Sequence, residues 1–151
     1  MSCAYVQNTT HIIHYLGQVE ITPPISPNNS ESEHERCIEE LVIEQVETSQ
    51  LTESKLVSST EAKLVTVHVS ERGLKVIDNE SLKVIDRVAL HAIVSVTSYD
   101  DGFGHYNVVL LLQPVHSTQI CHVFQSVTGD LADALCNDLK NAFSAVESAV
   151  E

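Results

Sequence analysis

Residues 63–99 read KLVTVHVSERGLKVIDNESLKVIDRVALHAIVSVTSY, and this stretch decides the fold class. Residues 63–70 alternate so that Val65, Val67 and Val69 share one face of a strand. Arg72-Gly73 ends that strand as a turn, and residues 74–78, LKVID, form the next one. Asp78-Asn79-Glu80-Ser81 carries turn chemistry, because such side chains bond their own backbone. The same five letters return at 82–86. Two copies read as similar strands pairing in a hairpin, not as a solenoid. Residues 88–99 predict one long strand, or two with a bend.

Working outward, Asp100-Asp101-Gly102-Phe103-Gly104 is a hairpin turn, and strands follow at 106–113 and 119–126. The C-terminal segment predicts a helix to about Ala149. Thr128 is its expected N-cap, and Asp130 suits the dipole of its first turn. Leu131, Leu135, Leu139, Ala142, Phe143 and Val146 trace its apolar face. On the other side, residues 11–21 read as a first strand in which Gly17 marks a bulge or a close backbone approach. The Pro- and Asn-rich stretch 22–34 is a loop. Residues 35–48 predict an acidic helix, with Ile38, Leu41, Val42 and Val46 between glutamates, and a polar loop runs from Thr48 to Thr60.

The order is therefore strand, helix, about six strands and a long helix, an α+β arrangement. Antiparallel strands with short turns must stack or close to protect faces and edges. The expected fold is a pleckstrin-homology-like antiparallel β-sandwich or partly open barrel of about seven strands, capped by the C-terminal helix. Residues 1–10 form a short N-terminal segment, and 11–150 form the domain.

Composition narrows the partners. The 151 residues carry 8 Lys and Arg against 21 Asp and Glu, a formal net charge of −13. Such a chain repels nucleic acid and anionic lipid surfaces, so neither is expected as a direct partner. No apolar run approaches the ~20 residues that span a bilayer, and the first ten residues lack a secretory pattern. Cys3, Cys37, Cys121 and Cys136 show no C-x-x-C spacing and read as thiols of a reducing compartment.

Several words together resemble the phosphotyrosine-binding (PTB) family. These are Tyr15-Leu16-Gly17, then Val69-Ser70 with Gly73-Leu74-Lys75-Val76, then Cys121-His122-Val123-Phe124, and finally Asn141-Ala142-Phe143 in the closing helix. Asp86 to Val94 (DRVALHAIV), followed by Ser98 to Gly104 (SYDDGFG), resembles that family's integrin cytoplasmic domain-associated branch, the integrin beta-1-binding proteins. The resemblance implies a non-enzymatic cytoplasmic adaptor, with a nuclear pool also expected. Its ligands would be NPxY-like motifs of integrin β cytoplasmic tails and a similar motif of the Krev-interaction-trapped protein. Members of that branch carry a basic N-terminal extension, and regulation by such a segment is not expected of this sequence. An endocytic or polarity adaptor of Numb or Disabled type is the alternative, and a phosphoinositide-binding pleckstrin-homology domain a more distant one.

The resemblance also implies the site. An extended peptide would add a strand along residues 90–99, with backbone bonds for affinity and side chains for specificity. Leu90, Ile93 and Val94 match groove positions, Val96 joins them on the same strand face as Val94, Tyr99 packs on the peptide, and Leu139 and Phe143 form the helical wall. A plain core role competes for Leu90, Ile93 and Val94, because adjacent residues of a regular strand face opposite sides. Phosphate recognition needs converging arginines, and Arg72 and Arg87 are not clustered in sequence, so unphosphorylated Tyr or Phe should be accepted. The glutamates of 35–48 could also receive a basic partner segment. No catalytic motif is present, and no cofactor is expected. His11 and His14, like Cys121 and His122, would point to opposite faces of strands, so no metal site is expected. Asp100-Asp101 is explained by turn formation.

Overall fold

A computed structural model of the chain describes residues 9–21, 38–52, 56, 61–115 and 118–150. The strands are β1 (Thr9–Glu20), β2 (Lys63–Ser70), β3 (Gly73–Asp78), β4 (Val84–Val88), β5 (Ile93–Asp100), β6 (Tyr106–Val115) and β7 (Thr118–Ser126). Helix α1 (Ile38–Thr52) follows β1, a single 3-10 turn (Leu90–Ala92) joins β4 to β5, and α2 (Gly129–Val150) ends the chain. They form one antiparallel sheet of seven strands in the order β4-β3-β2-β1-β7-β6-β5. The sheet is not closed, and β4 and β5 are its edges. This is the expected α+β, pleckstrin-homology-like architecture.

The sheet is buried on two sides by two helices. Helix α2 covers a core that includes Ile13, Val67, Val76, Val96, Leu110 and Phe124, into which it inserts Ala132, Leu135, Cys136, Leu139 and Ala142. Helix α1 inserts Val42 and Val46 into a second core with Leu16, Val19, Val109, Leu111, Cys121 and Val123. Residues 108–112 of β6 are apolar without alternation because both of their faces are covered.

One strand changes sides to make this possible. Tyr15 pairs with Phe124 and Gly17 with Val123, so β1 holds one extra residue at Leu16. Before this bulge the odd positions Ile13 and Tyr15 face the α2 core, and after it Val19 faces the α1 core. Gly17 supplies the left-handed φ of 129° there.

Several boundaries differ from the sequence expectation. Helix α1 runs past Thr48 to Thr52, supported by the Gln50 side chain, which accepts a hydrogen bond from Asn107 Nδ2 at 3.4 Å. The second LKVID copy becomes a strand only from Val84, because Leu82 closes a turn at φ 63° and donates its N–H to the Asp78 carbonyl. The Asp78 carboxylate accepts the N–H groups of Glu80 and Ser81, which hold it below the usual carboxylate range. Residues 88–99 are two strands with a bend at the 3-10 turn. Leu131 is exposed, at the rim of the buried α2 stripe, and Cys136 takes an inward position instead. The Thr128 hydroxyl does cap α2, accepting the Leu131 N–H at 3.2 Å. The loop at 22–34, Cys3, Cys37 and the side chain of Val146 lie outside the described residues.

Candidate functional site

The two sheet edges are unequal. Edge β4 is five residues long, carries Asp86 and Arg87, and has a register shift against β3. Short, charged, bulged edges resist further strand pairing. Edge β5 has eight residues and lies against α2. A hydrogen bond from Ser98 Oγ to Asp133 Oδ1, 3.4 Å, ties strand to helix.

A bulge fixes which side chains of β5 face α2. Ile93 pairs with Leu112 and Ser95 with Leu111, so Val94 is the extra residue. Ile93 and Val96 therefore share the α2 side although they are three positions apart, and Ser98 continues that face. The expectation that Val96 shares a face with Val94 is corrected by this bulge. Val94 is 37% exposed and Ile93 half-buried. Leu90 and Val96, 3% and 8% exposed, form the floor beneath them rather than an open surface.

On α2, Leu139 is fully buried in the core, whereas Phe143 is half-buried. Asp133, Cys136, Lys140 and Phe143 recur at helical spacing on the flank that Ser98 marks as the β5 side. Sequence reading missed Asp133, Cys136, Lys140 and Ser98, although counting back from Phe143 in threes and fours finds the helical ones. Burial raises the Cys136 thiol pKa, partly offset by the Lys140 ammonium and by Ser98. Tyr99 points away, to the α1 side. Its hydroxyl accepts from Asn107 Nδ2 at 3.0 Å, and burial pushes its pKa to about 12. Its place in that network keeps it off the α2 flank.

Ile93, Val94 and Phe143 are thus at least partly exposed, Leu90, Val96 and Leu139 are buried in the α2 core, and Tyr99 lies on the α1 side. Such an edge can take an extended segment through backbone bonds, with an apolar lining and one cation, Lys140, nearby. Asp100 and Asp101 are turn formers as expected: Asp100 Oδ1 accepts the Gly102 N–H, and Asp101 Oδ1 accepts those of Phe103 and His105. Among the described residues no three His, Cys, Asp or Glu side chains are placed to hold a metal ion. No described helix is long and apolar enough to cross a membrane.

A premise about charge is overturned. Arg72 and Arg87, separate in sequence, line one surface cavity together with Lys75 and His68. The pairing of β2, β3 and β4 brings them together.

Among the described residues the antiparallel sheet is open, and its edge strand β5 lies against α2 and pairs with no further strand. The chain belongs to the phosphotyrosine interaction domain (PTB/PID) family, whose model matches residues 12–150. Members of this family bind peptide motifs of partner proteins. The fold is similar to the solution structure of the C-terminal phosphotyrosine interaction domain of APBB2 from mouse, with a TM-score of 0.62 and 16% identity over 91% of this chain and 87% of that one. No curated protein sequence matches the chain significantly.

Proposed function

We propose that this domain is an adaptor that binds NPxY- or NPxF-type motifs of integrin β cytoplasmic tails by adding the peptide to β5 as a further strand. A similar motif of the Krev-interaction-trapped protein is a second ligand, and the adaptor acts in the cytoplasm to modulate integrin activation. The observation that carries the reading is the β5 edge beside α2, which pairs with no further strand among the described residues, with Ile93, Val94 and Phe143 accessible. The DRVALHAIV and SYDDGFG words, which resemble the integrin-associated branch, support the choice of tail. Binding is independent of phosphorylation, because Lys140 is the one Lys or Arg on the β5 flank of α2 and Asp133 stands near it. A receptor-tail adaptor of Numb or Disabled type remains the alternative for the same edge.

Fluorescence polarisation with an integrin β tail peptide tests this, beside a peptide whose NPxY reads Ala-Ala-x-Ala. Val94→Asp is the primary variant, since an exposed residue can be changed without opening the core. Binding that weakens at least tenfold in both controls supports the groove. Equal binding of an endocytic receptor-tail peptide moves the reading to the alternative. Binding untouched by Val94→Asp and by Phe143→Asp refutes the groove.

A further inference from the structure

The half of the sheet built from β1 to β4 turns one face to the core and the other outward. Val65, Val67, Val69, Leu74 and Val76 point into the α2 core, so the alternate residues of these strands share the outer face. Helix α1 packs against the other half, on β5, β6 and β7. Two rows of side chains cross the outer face. Ile12 lies directly opposite Thr66, Thr66 opposite Ile77, and Ile77 opposite Val84. Two residues further along the strands, Thr10 lies opposite His68, His68 opposite Lys75, and Lys75 opposite Arg87. The bulge at Ile85 keeps Val84 and Arg87 on one side although they are three positions apart. An apolar row and a cationic row thus run side by side across the same four strands.

Neither row is matched within the described residues. Ile12 is 54% exposed and Val84 39%, and Leu64, beside the apolar row on β2, is 41% exposed. Five of the nine large apolar side chains exposed among the described residues (Ile12, Leu64, Leu82, Val84 and Ile85) belong to this half of the sheet, and so concentrated a patch marks an interaction surface. The hydroxyl of Thr66, the polar group within the apolar row, already donates to Asn79 Oδ1 at 2.7 Å. In the other row, like charges directly opposite one another destabilise a sheet unless acids relieve them. The chain has 21 acidic residues against 8 Lys and Arg, yet among the described residues none of the His68, Lys75 and Arg87 side chains makes an ion pair. Asp86, beside Arg87 in sequence, turns to the other face and meets His122 there.

We propose that this face docks an acidic amphipathic helix of a partner protein, laid across the strands. Each row spans three interstrand gaps, ~14 Å, which an α-helix covers in about ten residues. The rows are ~7 Å apart, within the ~10 Å width of one helix. Apolar residues three, four and seven positions apart on the helix rest on Ile12, Ile77 and Val84. Carboxylates along one flank of the same helix meet Lys75 and Arg87, whose charges this chain leaves unmatched. The apolar row supplies the contact area, and the cationic row fixes which flank of the helix lies beside it. The face stands at the opposite end of the strand order from β5, so a peptide at that edge and a helix here are bound independently.

Fluorescence polarisation with a panel of lactam-bridged helices of about four turns tests the face. Every helix of the first set carries a Leu stripe with Glu along one flank or the other. A second set has Lys in place of each Glu, and a third has Ser in place of each Leu. The first set should bind, the other two should bind at least tenfold more weakly, and added salt should weaken the binding. Ile12→Ser and Lys75→Glu should each cost at least tenfold, whereas Phe103→Ser, at an exposed apolar position of the β5–β6 hairpin, should change nothing. Thermal unfolding checks each variant, and Val84→Ser or Arg87→Ser replaces one that fails. The proposal is overturned if no helix of the first set binds more tightly than Kd ~1 mM, if the Lys set binds equally, or if Phe103→Ser loses as much. A dimer in light scattering that Ile12→Ser dissolves also overturns it, since the occupant is then a second copy. So does binding confined to phosphatidylserine vesicles. Integrin-tail binding is measured separately, and saturating the β5 edge should leave helix binding unchanged.

Discussion

Replacing His122 by Gln should make the domain less sensitive to acid. His122 is 4% exposed, on β7. Its Nδ1 is 2.8 Å from the Tyr15 hydroxyl, and its Nε2 is 3.4 Å from Asp86 Oδ2. A neutral ring with its proton on Nε2 satisfies both contacts, donating to the carboxylate and accepting from the phenol. Burial lowers the His122 pKa, and the opposing pull of Asp86 does not reverse it. The unfolded chain, by contrast, takes up this proton near pH ~6.5. Below that pH the unfolded state binds more protons than the native one, so stability is full above ~6.5 and is lost as pH falls toward the folded value.

The size of the effect is bounded. A fully excluded proton costs ~1.4 kcal/mol per pH unit below ~6.5, and the integrated loss between pH ~7.5 and ~5.5 is at most ~1.4 kcal/mol. Urea denaturation of wild type and His122→Gln at those two pH values measures it. Near pH ~7.5 the variant should be less stable by ~1 kcal/mol, having lost the ring's two-sided fit. Near pH ~5.5 the gap should close or invert, since Gln carries no proton to exclude. Comparing the two proteins at each pH cancels the other titrating groups. A gap that widens in acid would show that Asp86 holds His122 charged in the native state, a constant gap would show no net shift, and either would refute the reasoning.

Three further outcomes follow from the packing. Gly73→Ala should destabilise by more than ~2 kcal/mol in urea titration, because strain at that φ adds to the collision with β4. Leu139→Ala, at a fully buried position of α2, should cost ~2–5 kcal/mol by the same measurement, and a loss under ~1 kcal/mol would mean that α2 is not seated as described. Burial pushes the Cys121 thiol to about 12 and raises that of Cys136, so the thiolate is scarce at neutral pH. Iodoacetamide should leave both unlabelled in the native protein and label both in urea, as read by peptide mass mapping.

What the sequence showed and what it hid divide along physical lines. Local signals were legible: the Asp-Asp-Gly turn, the Thr128 cap, the alternation of β2 and the apolar stripe of α2 each arise from neighbouring residues. Exposure was not legible residue by residue. Leu90 and Leu139 are expected to line a groove, yet here both are buried in the α2 core. Tyr99 was misplaced for another reason: its partner Asn107 lies across the β5–β6 pair, and the Gln50 that completes that network comes from a helix distant in sequence. Nothing local tells a strand-end tyrosine which sheet face it will find covered.

Register was the deeper obstacle, and bulges are its cause. Strict alternation assigns Ile93 and Val94 to opposite faces and pairs Val94 with Val96; one inserted residue moves Val96 to the side of Ile93. The same sensitivity hid the meeting of Lys75 and Arg87. Taking the second LKVID copy as a strand from Leu82 pairs it with the first as a tight hairpin. The true strand begins two residues later and bulges at Ile85, so that Asp86 faces Val76 and Arg87 faces Lys75. Asp86 is thereby turned inward to His122, and Arg87 is left outward without it. Without the bulge Asp86 would oppose Lys75, and Arg87 would oppose Leu74; the inserted residue exchanges the two faces and so places Asp86 beside His122 and Arg87 beside Lys75. A mutation that slips β4, such as Gly73→Ala, should therefore also disturb His122's titration.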